Sequence, residues 1–352
     1  MLTVLSVGFP LAPISENTAG GAEHILRILD DALVAAGHRS LVVAAEGSHC
    51  SGELVAIPNP GPALDAAAWA QTHVHCRRIL ASALKEHAVD LVHFHGIDFM
   101  AYLPETPVPT IVTLHLAPQS FPSYALNQRP NTFFVCVSRS QAAACPKALP
   151  VTVIENGIPT HEFCVRHKKW NYALALGRIC PEKGFHLALE AATAAGVPLV
   201  IGGEVFGYPE HQMYFHKEIL PRMGNMHRFI GPVGGRRKKR LLAGASCLLV
   251  PSLADETSSL VTMEALASGT PVVAFKRGAL PELIKDGHTG YLVNNVAEMS
   301  AAIPRCASMR PIDCRRAAEE RFSSKDMVAQ YFRLYDNVLN AQDSCHHQEV
   351  LV

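Results

Sequence analysis

The sequence predicts an α/β chain of two doubly wound, parallel-sheet domains in tandem, and three observations carry that prediction. Short β-branched runs alternate with longer amphipathic stretches, which is the βαβ rhythm of a parallel sheet. The rhythm stops in a polar stretch and then restarts. The chain, at 352 residues, exceeds the ~100 to 200 residues usual for a single domain.

The elements follow in order. LTVLSV reads as the first strand, Glu23 to Ala36 as an amphipathic helix, and RSLVVAA as the next strand. A helix over Ala67 to His87 precedes three further strands, DLVHFH, TIVTLH and FFVCVS. ENGIPTHEFCVRHKK has no clear period and marks the link between halves, near Asn156 to Lys169. The rhythm resumes with YALALGR, a helix from about Lys183, VPLVIGG, HRFIG, SCLLVPS, a helix from about Ser259, PVVAF and GYLV. This divides the chain into domains over 1–158 and 168–322, a closing helix over 324–340 and a disordered tail over 342–352. The restart is architectural, because no fixed-period repeat or low-complexity segment accompanies it.

Composition narrows the function classes. Hydrophobic residues make up 49% and charged residues 18%, enough apolar side chain for sizeable cores and too little charge for a disordered chain. The formal net charge is zero, so no long-range field pulls the chain toward nucleic acid or an anionic membrane, which leaves weak peripheral membrane contact at most. Any anion site must therefore be local, and a small acidic excess up to residue 150 gives way to a small basic excess afterwards, so the later half suits an anionic ligand slightly better. The ten cysteines show neither a C-x-x-C pair nor the spacing of a zinc site, which predicts reduced thiols and no metal. Cys345, His346 and His347 in the tail offer only a stray metal contact. Met1 to Gly8 lack a basic leader and no apolar run approaches ~18 residues, so the expected location is the cytoplasm.

In open parallel sheets ligands gather at the carboxyl ends of strands, and the informative residues fall there. PSLADETSSLVTMEALASG follows an apolar strand and enters an Ala-rich helix near Ser258 or Ser259. Free N–H groups of Ser259, Leu260 and Val261, with the positive end of the helix dipole, suit a phosphate. Glu264, inside that helix, can accept hydrogen bonds from paired hydroxyls such as those of a ribose, and Glu256 before it can do the same for a sugar. Taken singly, each glutamate reads as a solvated charge. Their neighbours alter that reading: in LALGRICPEKGF, Gly177 ends a strand and Arg178 and Lys183 offer a planar fork and a point charge to one diphosphate.

Near the start, Gly20 and Gly21 precede a helix and permit close backbone approach, without the G-x-G-x-x-G spacing of a dinucleotide fold. His115 ends the strand TIVTLH, within reach of a sugar hydroxyl. His93 and His95 alternate on one strand face but lack a third ligand, so they read as packing residues. The run Arg236 to Arg240 reads as a solvated helix start, and no aromatic residues interleave with it to stack bases.

Together these residues resemble family four of the glycosyltransferases, retaining enzymes of the GT-B architecture, in which two Rossmann-like domains face each other across a cleft. The resemblance runs through TAGGAEHILRILDDALVAAGH, the TLH strand end, VCVSRSQ, VIENGIP, GRICPEKG, FIGPV, E-TSSLVTM-E, SGTPVVA and GALPELIKDGHTGYLV. It implies that Glu256 meets sugar hydroxyls, Glu264 the ribose, and the backbone of Ser258 to Val261 the sugar and phosphates. It implies that Arg178 and Lys183 neutralise the diphosphate, that Gly20 and Gly21 close over it, that His115 lies beside the donor sugar, and that the backbone around Val233 meets the base. The last helix would cross back onto the first domain. Thr257 and Ser258 stand where Pro and an aromatic are frequent, and Pro159 replaces a frequent acid, without removing a charge that the chemistry needs.

The expected activity is therefore retaining transfer of a hexosyl group from a nucleotide diphosphate sugar to an acceptor hydroxyl, with a UDP-sugar favoured and GDP-mannose next. No cofactor and no catalytic metal are expected, and the acceptor is expected to be small and soluble. A nucleotide-sugar epimerase or phosphorylase-like enzyme on the same plan is the rival enzyme reading, and a non-catalytic sugar-nucleotide-binding protein is the reading from outside enzymes.

Overall fold

The structure is a computed structural model that describes residues 1–15, 20–59, 66–164 and 168–349, with side chains omitted at residue 66 and over 342–349. Residues 18–19 of the glycine motif, 165–167 of the expected link and 350–352 of the tail lie outside the described residues. The chain divides into two compact units, Met1–Glu155 with Asp326–Val352, and Asn156–Lys325.

The first unit carries β1 (Thr3–Val7), α1 (Gly21–Ala35), β2 (Arg39–Ala45), β3 (Glu53–Ile57), α2 (Ala66–Glu86), β4 (Leu91–Phe94), β5 (Thr110–Leu114), β6 (Thr132–Cys136), α3 (Arg139–Ala144) and β7 (Val151–Val153). Its seven strands pair in the order β3-β2-β1-β4-β5-β6-β7, every pair parallel. The order reverses direction at β1, where a doubly wound sheet opens its ligand crevice. The central strands are buried along their length, as a sheet covered on both faces requires, which is why they read as continuous apolar runs.

The second unit carries β8 (Ala173–Leu176), α4 (Phe185–Ala194), β9 (Leu199–Gly202), α5 (Pro209–Tyr214), β10 (Arg228–Phe229), α6 (Gly235–Gly244), β11 (Cys247–Val250), α7 (Leu260–Ala267), β12 (Val272–Phe275), α8 (Leu280–Leu283), β13 (Gly290–Val293), α9 (Val296–Arg305) and α10 (Pro311–Arg321). Its six strands pair in the order β10-β9-β8-β11-β12-β13, again all parallel. The sheet's two faces pack separate cores, one centred on Phe185, Leu199 and Met299, the other on Leu248, Leu266 and Phe322.

The closing helix, α11 (Ser324–Glu349), groups with the first unit from Asp326 onward. Its Tyr335 hydroxyl lies 2.8 Å from His93 Nδ1, and its Tyr331 hydroxyl lies 3.0 Å from Thr113 Oγ1. The helix runs past Asn340, and the disordered tail expected from 342 is helical in backbone as far as Glu349, since neither Gly nor Pro interrupts it. The stretch from Asn156, expected as a link, is part of the second unit. Ile158 bridges Ser323, Phe163 enters a core, and Trp170 N–H donates to Gly244 O at 2.8 Å. No described helix is long and apolar enough to cross a membrane.

Candidate active site

The residues that the sequence selects in the second unit fall on the loops after its strands. β8 ends against Gly177, whose φ of 152° only glycine adopts readily, and a Cβ on Gly203 would lie 1.8 Å from Gly177 O. These two glycines let the ends of β8 and β9 come together. Arg178 follows and is exposed, and its guanidinium makes no hydrogen bond or ion pair among the described residues. Next comes a single 3₁₀ turn, Pro181–Lys183, closed by Gly184 at φ 64°. A Cβ on Gly184 would lie 2.2 Å from Pro251 O, so the turn rests on backbone just beyond β11. The helix expected from Lys183 therefore starts at Phe185, because the left-handed Gly184 breaks the helical run.

The two loops are joined by several bonds. Leu253 N–H donates to Glu182 O at 2.8 Å, and Ser252 Oγ lies 3.2 Å from the same carbonyl. Lys183 Nζ lies 2.6 Å from Glu256 Oε1, which also accepts from Ser252 Oγ at 2.7 Å. The Glu256 side chain is 10% exposed, so this is a partly desolvated, hydrogen-bonded pair and not the solvated loop charge it resembles when read singly. Glu256 O accepts from Ala279 N–H at 2.7 Å, and Gly278, at φ 52°, fits only because it has no Cβ.

Ser259 caps α7 without a side-chain bond to the backbone; its hydroxyl lies 2.9 Å from Thr262 Oγ1 instead. The N–H groups at that start precede the helix's own hydrogen-bond ladder, and Ser258 Oγ is buried without a partner among the described residues. Leu260 and Val261 are half-buried. Glu264, inside α7, is 6% exposed. Lys238 Nζ lies 2.6 Å from its carboxylate. The run Arg236 to Arg240 was expected to be a solvated helix start. Arg236, Arg237 and Arg240 are exposed on α6, but Lys238 holds Glu264, and Lys239 pairs with Glu162 at 2.6 Å. Lys238 is the residue that sequence reasoning missed, and the (i, i+4) logic of one helix cannot reveal a partner on another. Val233 packs over Gly202 at the end of β9, where a Cβ would lie 2.9 Å from Val233 Cγ2.

In the first unit Gly20 caps α1 and Gly21 opens it. A Cβ on Gly20 would lie 1.8 Å from Glu23 Oε2, so the buried Glu23, which the sequence reading passed over, reserves that space. His115 follows β5, with its Nε2 3.1 Å from His95 Nδ1. Burial pushes its pKa down to about 4, which leaves the ring neutral at pH 7. Buried Gln141 on α3 fixes this corner, donating from Nε2 to Leu114 O and Leu116 O at 2.8 Å each and accepting from Val137 N–H at 2.7 Å. His93 and His95 do share a face, their ring centroids 4.0 Å apart. His93 is fully engaged with Tyr335 and Thr113, and burial lowers its pKa to about 3.

Comparison with known proteins adds to this geometry. Residues 19–162 match the family described as Glycosyltransferase Family 4, and residues 160–320 match Glycosyl transferases group 1. Glycogen synthase of Mycobacterium tuberculosis is 32% identical over 196 residues, 51% of this chain and 45% of that protein, so the chain spans about half the length of the curated relatives it matches. Sucrose-phosphate synthase from Thermosynechococcus elongatus superposes with a TM-score of 0.82 at 18% identity, covering 97% of this chain and 100% of that one. Anabaena Alr3699/HepE, solved with UDP-glucose, gives a TM-score of 0.72 at 19% identity over 96% of this chain and 100% of that one. The fold of two parallel-sheet units is thus that of GT-B glycosyltransferases.

Proposed function

Because the chain belongs to the glycosyltransferases, with a family four domain followed by a group 1 domain, we propose that it is a retaining hexosyltransferase that draws on a UDP-sugar and delivers to a small soluble acceptor. The observation that carries this reading lies within the second unit. An exposed, unpaired guanidinium, a lysine fixed by a buried glutamate, and the open start of α7 stand on loops that are hydrogen-bonded to one another. Breaking an anomeric bond leaves a diphosphate, and fixed positive charge aimed at it is the largest help a protein can give.

Arg178, Lys183 and the amides of Ser259, Leu260 and Val261 supply that charge. Glu256 orients Lys183 and offers its other oxygen to a sugar hydroxyl, while Glu264, oriented by Lys238, takes the ribose hydroxyls. The backbone around Val233 meets the base. His115, neutral at pH 7, serves a sugar hydroxyl as donor or acceptor, and Gly20 and Gly21 allow close approach of the backbone. The diphosphate charge is met by these groups, so the step calls for no metal. Attack comes from the face of the leaving phosphate, whose oxygen takes the acceptor's proton. The UDP-glucose complex of the Anabaena neighbour supports uridine over guanosine.

A thermal-shift panel of UDP, GDP and ADP with their sugars tests the donor, since a ligand at 100 times its Kd stabilises by ~2.7 kcal/mol. UDP or UDP-sugars are expected to give the largest shift. Lys183→Ala is expected to lower transfer by roughly 10² to 10³, the ~3 to 4 kcal/mol of one lost donor to developing charge. Near-normal turnover in that variant, or no response to any nucleotide, overturns the reading.

A further inference from the structure

On the loop that carries Arg178 and Lys183, a second constellation faces α5. Cys180, Glu182 and His211 each bring one donor atom, and these atoms all lie within 4.8 Å of one another. We propose that Cys180, Glu182 and His211 form a site for one divalent cation of the zinc class, which staples the loop after β8 to α5.

Two of the three side chains are already buried in place: Cys180 is 1% exposed and His211 is 9% exposed. His211 Nδ1 is buried and has no hydrogen-bond partner among the described residues, although the ring is held between Phe206 and Tyr208. A buried ring nitrogen without a partner is costly; His93 is satisfied on both nitrogens, while His95 Nε2 shares the unpartnered state of His211 Nδ1 among the described residues. The donor set decides the metal. One thiolate, one imidazole and one carboxylate suit Zn²⁺, whereas Mg²⁺ and Ca²⁺ take oxygen ligands. Bonds of ~2.0 to 2.3 Å at tetrahedral angles set donors roughly 3.3 to 3.8 Å apart. The remaining closure falls to Glu182, whose side chain is exposed. Three protein ligands leave the fourth position to water.

The charges balance. On binding, the Cys180 thiol gives its proton to solvent and its sulfur lone pair to the metal, with no change of oxidation state. Thiolate and carboxylate together cancel the two positive charges, so the occupied site sets no net charge beside Arg178. Sequence spacing cannot announce this site, because Cys180 and Glu182 are far along the chain from His211.

The test is metal binding by the full chain, stripped with a chelator and titrated with Co²⁺, then Zn²⁺. One equivalent of Co²⁺ is expected to raise a sulfur-to-cobalt charge-transfer band, and Zn²⁺ to displace it. Zn²⁺ is also expected to raise the melting temperature. Cys180→Ser is expected to lose the band and the thermal shift, and Glu182→Gln, at an exposed side chain, to weaken Co²⁺ binding by roughly tenfold or more. If Ser at the buried position 180 unfolds the unit, His211→Gln replaces it and is expected to lose the one-to-one stoichiometry. Changing Cys345→Ser, His346→Ala and His347→Ala together is expected to alter nothing. A band that survives Cys180→Ser, a band that vanishes with the tail substitutions, or no saturable Co²⁺ binding overturns the proposal. None of these readings uses a nucleotide, so failure here is distinct from failure of the donor assignment.

Discussion

Glu264 shows how one side chain's meaning depends on what stands opposite it. Its sequence context allows a surface charge, yet it is 6% exposed, and a carboxylate in that position is tolerated only with a partner. Lys238 supplies the partner at 2.6 Å, so the pair is a unit and its members are not independent. Lys238→Met leaves the carboxylate desolvated and unpaired. The expected loss is roughly 2 to 4 kcal/mol, below the upper range for fully buried pairs because the lysine side chain is 22% exposed. Arg237→Met, on the exposed part of the same helix, is expected to stay within about 0.5 kcal/mol of the parent. Adding Glu264→Met to Lys238→Met is expected to recover much of the loss, since an apolar pair of similar volume replaces an ion pair at little cost. Chemical denaturation of the four proteins measures this, and equal midpoints for Lys238→Met and Arg237→Met would dismiss the pairing as incidental.

At the scale of elements, glycine placement decides where the loops can carry charge. Gly184 and Gly196 both have positive φ, 64° and 66°, but only Gly184 stands against backbone, since nothing lies within 4 Å of a Cβ at Gly196. Gly196→Ala is therefore expected to cost about 1 to 2 kcal/mol, the price of the left-handed conformation alone. Gly184→Ala adds a clash with Pro251 O that neither backbone can relieve in place. It is expected to cost more and to lower transfer sharply as well, because a displacement of ~1 Å at Lys183 is worth ~10² in rate. Thermal melts and turnover of the two variants test this, and matching losses would show that the Pro251 contact does not position the turn. The same logic explains what the sequence revealed of the elements and what it hid. β1, β4, β5, β8, β11 and β12 were legible because burial on both faces demands apolar runs. β3 and β7 were not: β3 is a half-exposed edge strand without clean alternation, and β7 has only three residues. Helix α4 began late because a left-handed glycine leaves no mark on periodicity. Of the candidate site, the charged groups were legible from type and order. The clamp by Gln141, the partner of Glu264 and the Cys180 cluster were not, because each joins residues that only the folded chain brings together.

The first unit is closed by an element from the far end of the chain, and that closure gives the whole molecule a pH dependence. α11 covers His93, which sits between Tyr335 and Thr113 with the rings of His95 and Tyr331 beside it and no carboxylate among its hydrogen-bond partners. Burial, with a contribution from His115, holds the His93 pKa near 3 against the ordinary 6.5. Between those values the unfolded chain binds a proton that the folded chain refuses, so the contribution of neutral His93 is complete above pH 6.5 and drains away as pH falls toward 3. By pH 5 the loss amounts to about 2 kcal/mol for this one group. Urea unfolding of the parent and of His93→Gln, followed at pH 7 and at pH 5 through the aromatic signal of the first unit, measures the difference. The glutamine variant is expected to be less stable at pH 7 but to lose about 2 kcal/mol less on acidification. Identical slopes in the two proteins would mean that His93 is solvated in solution and that α11 does not seal the sheet over it.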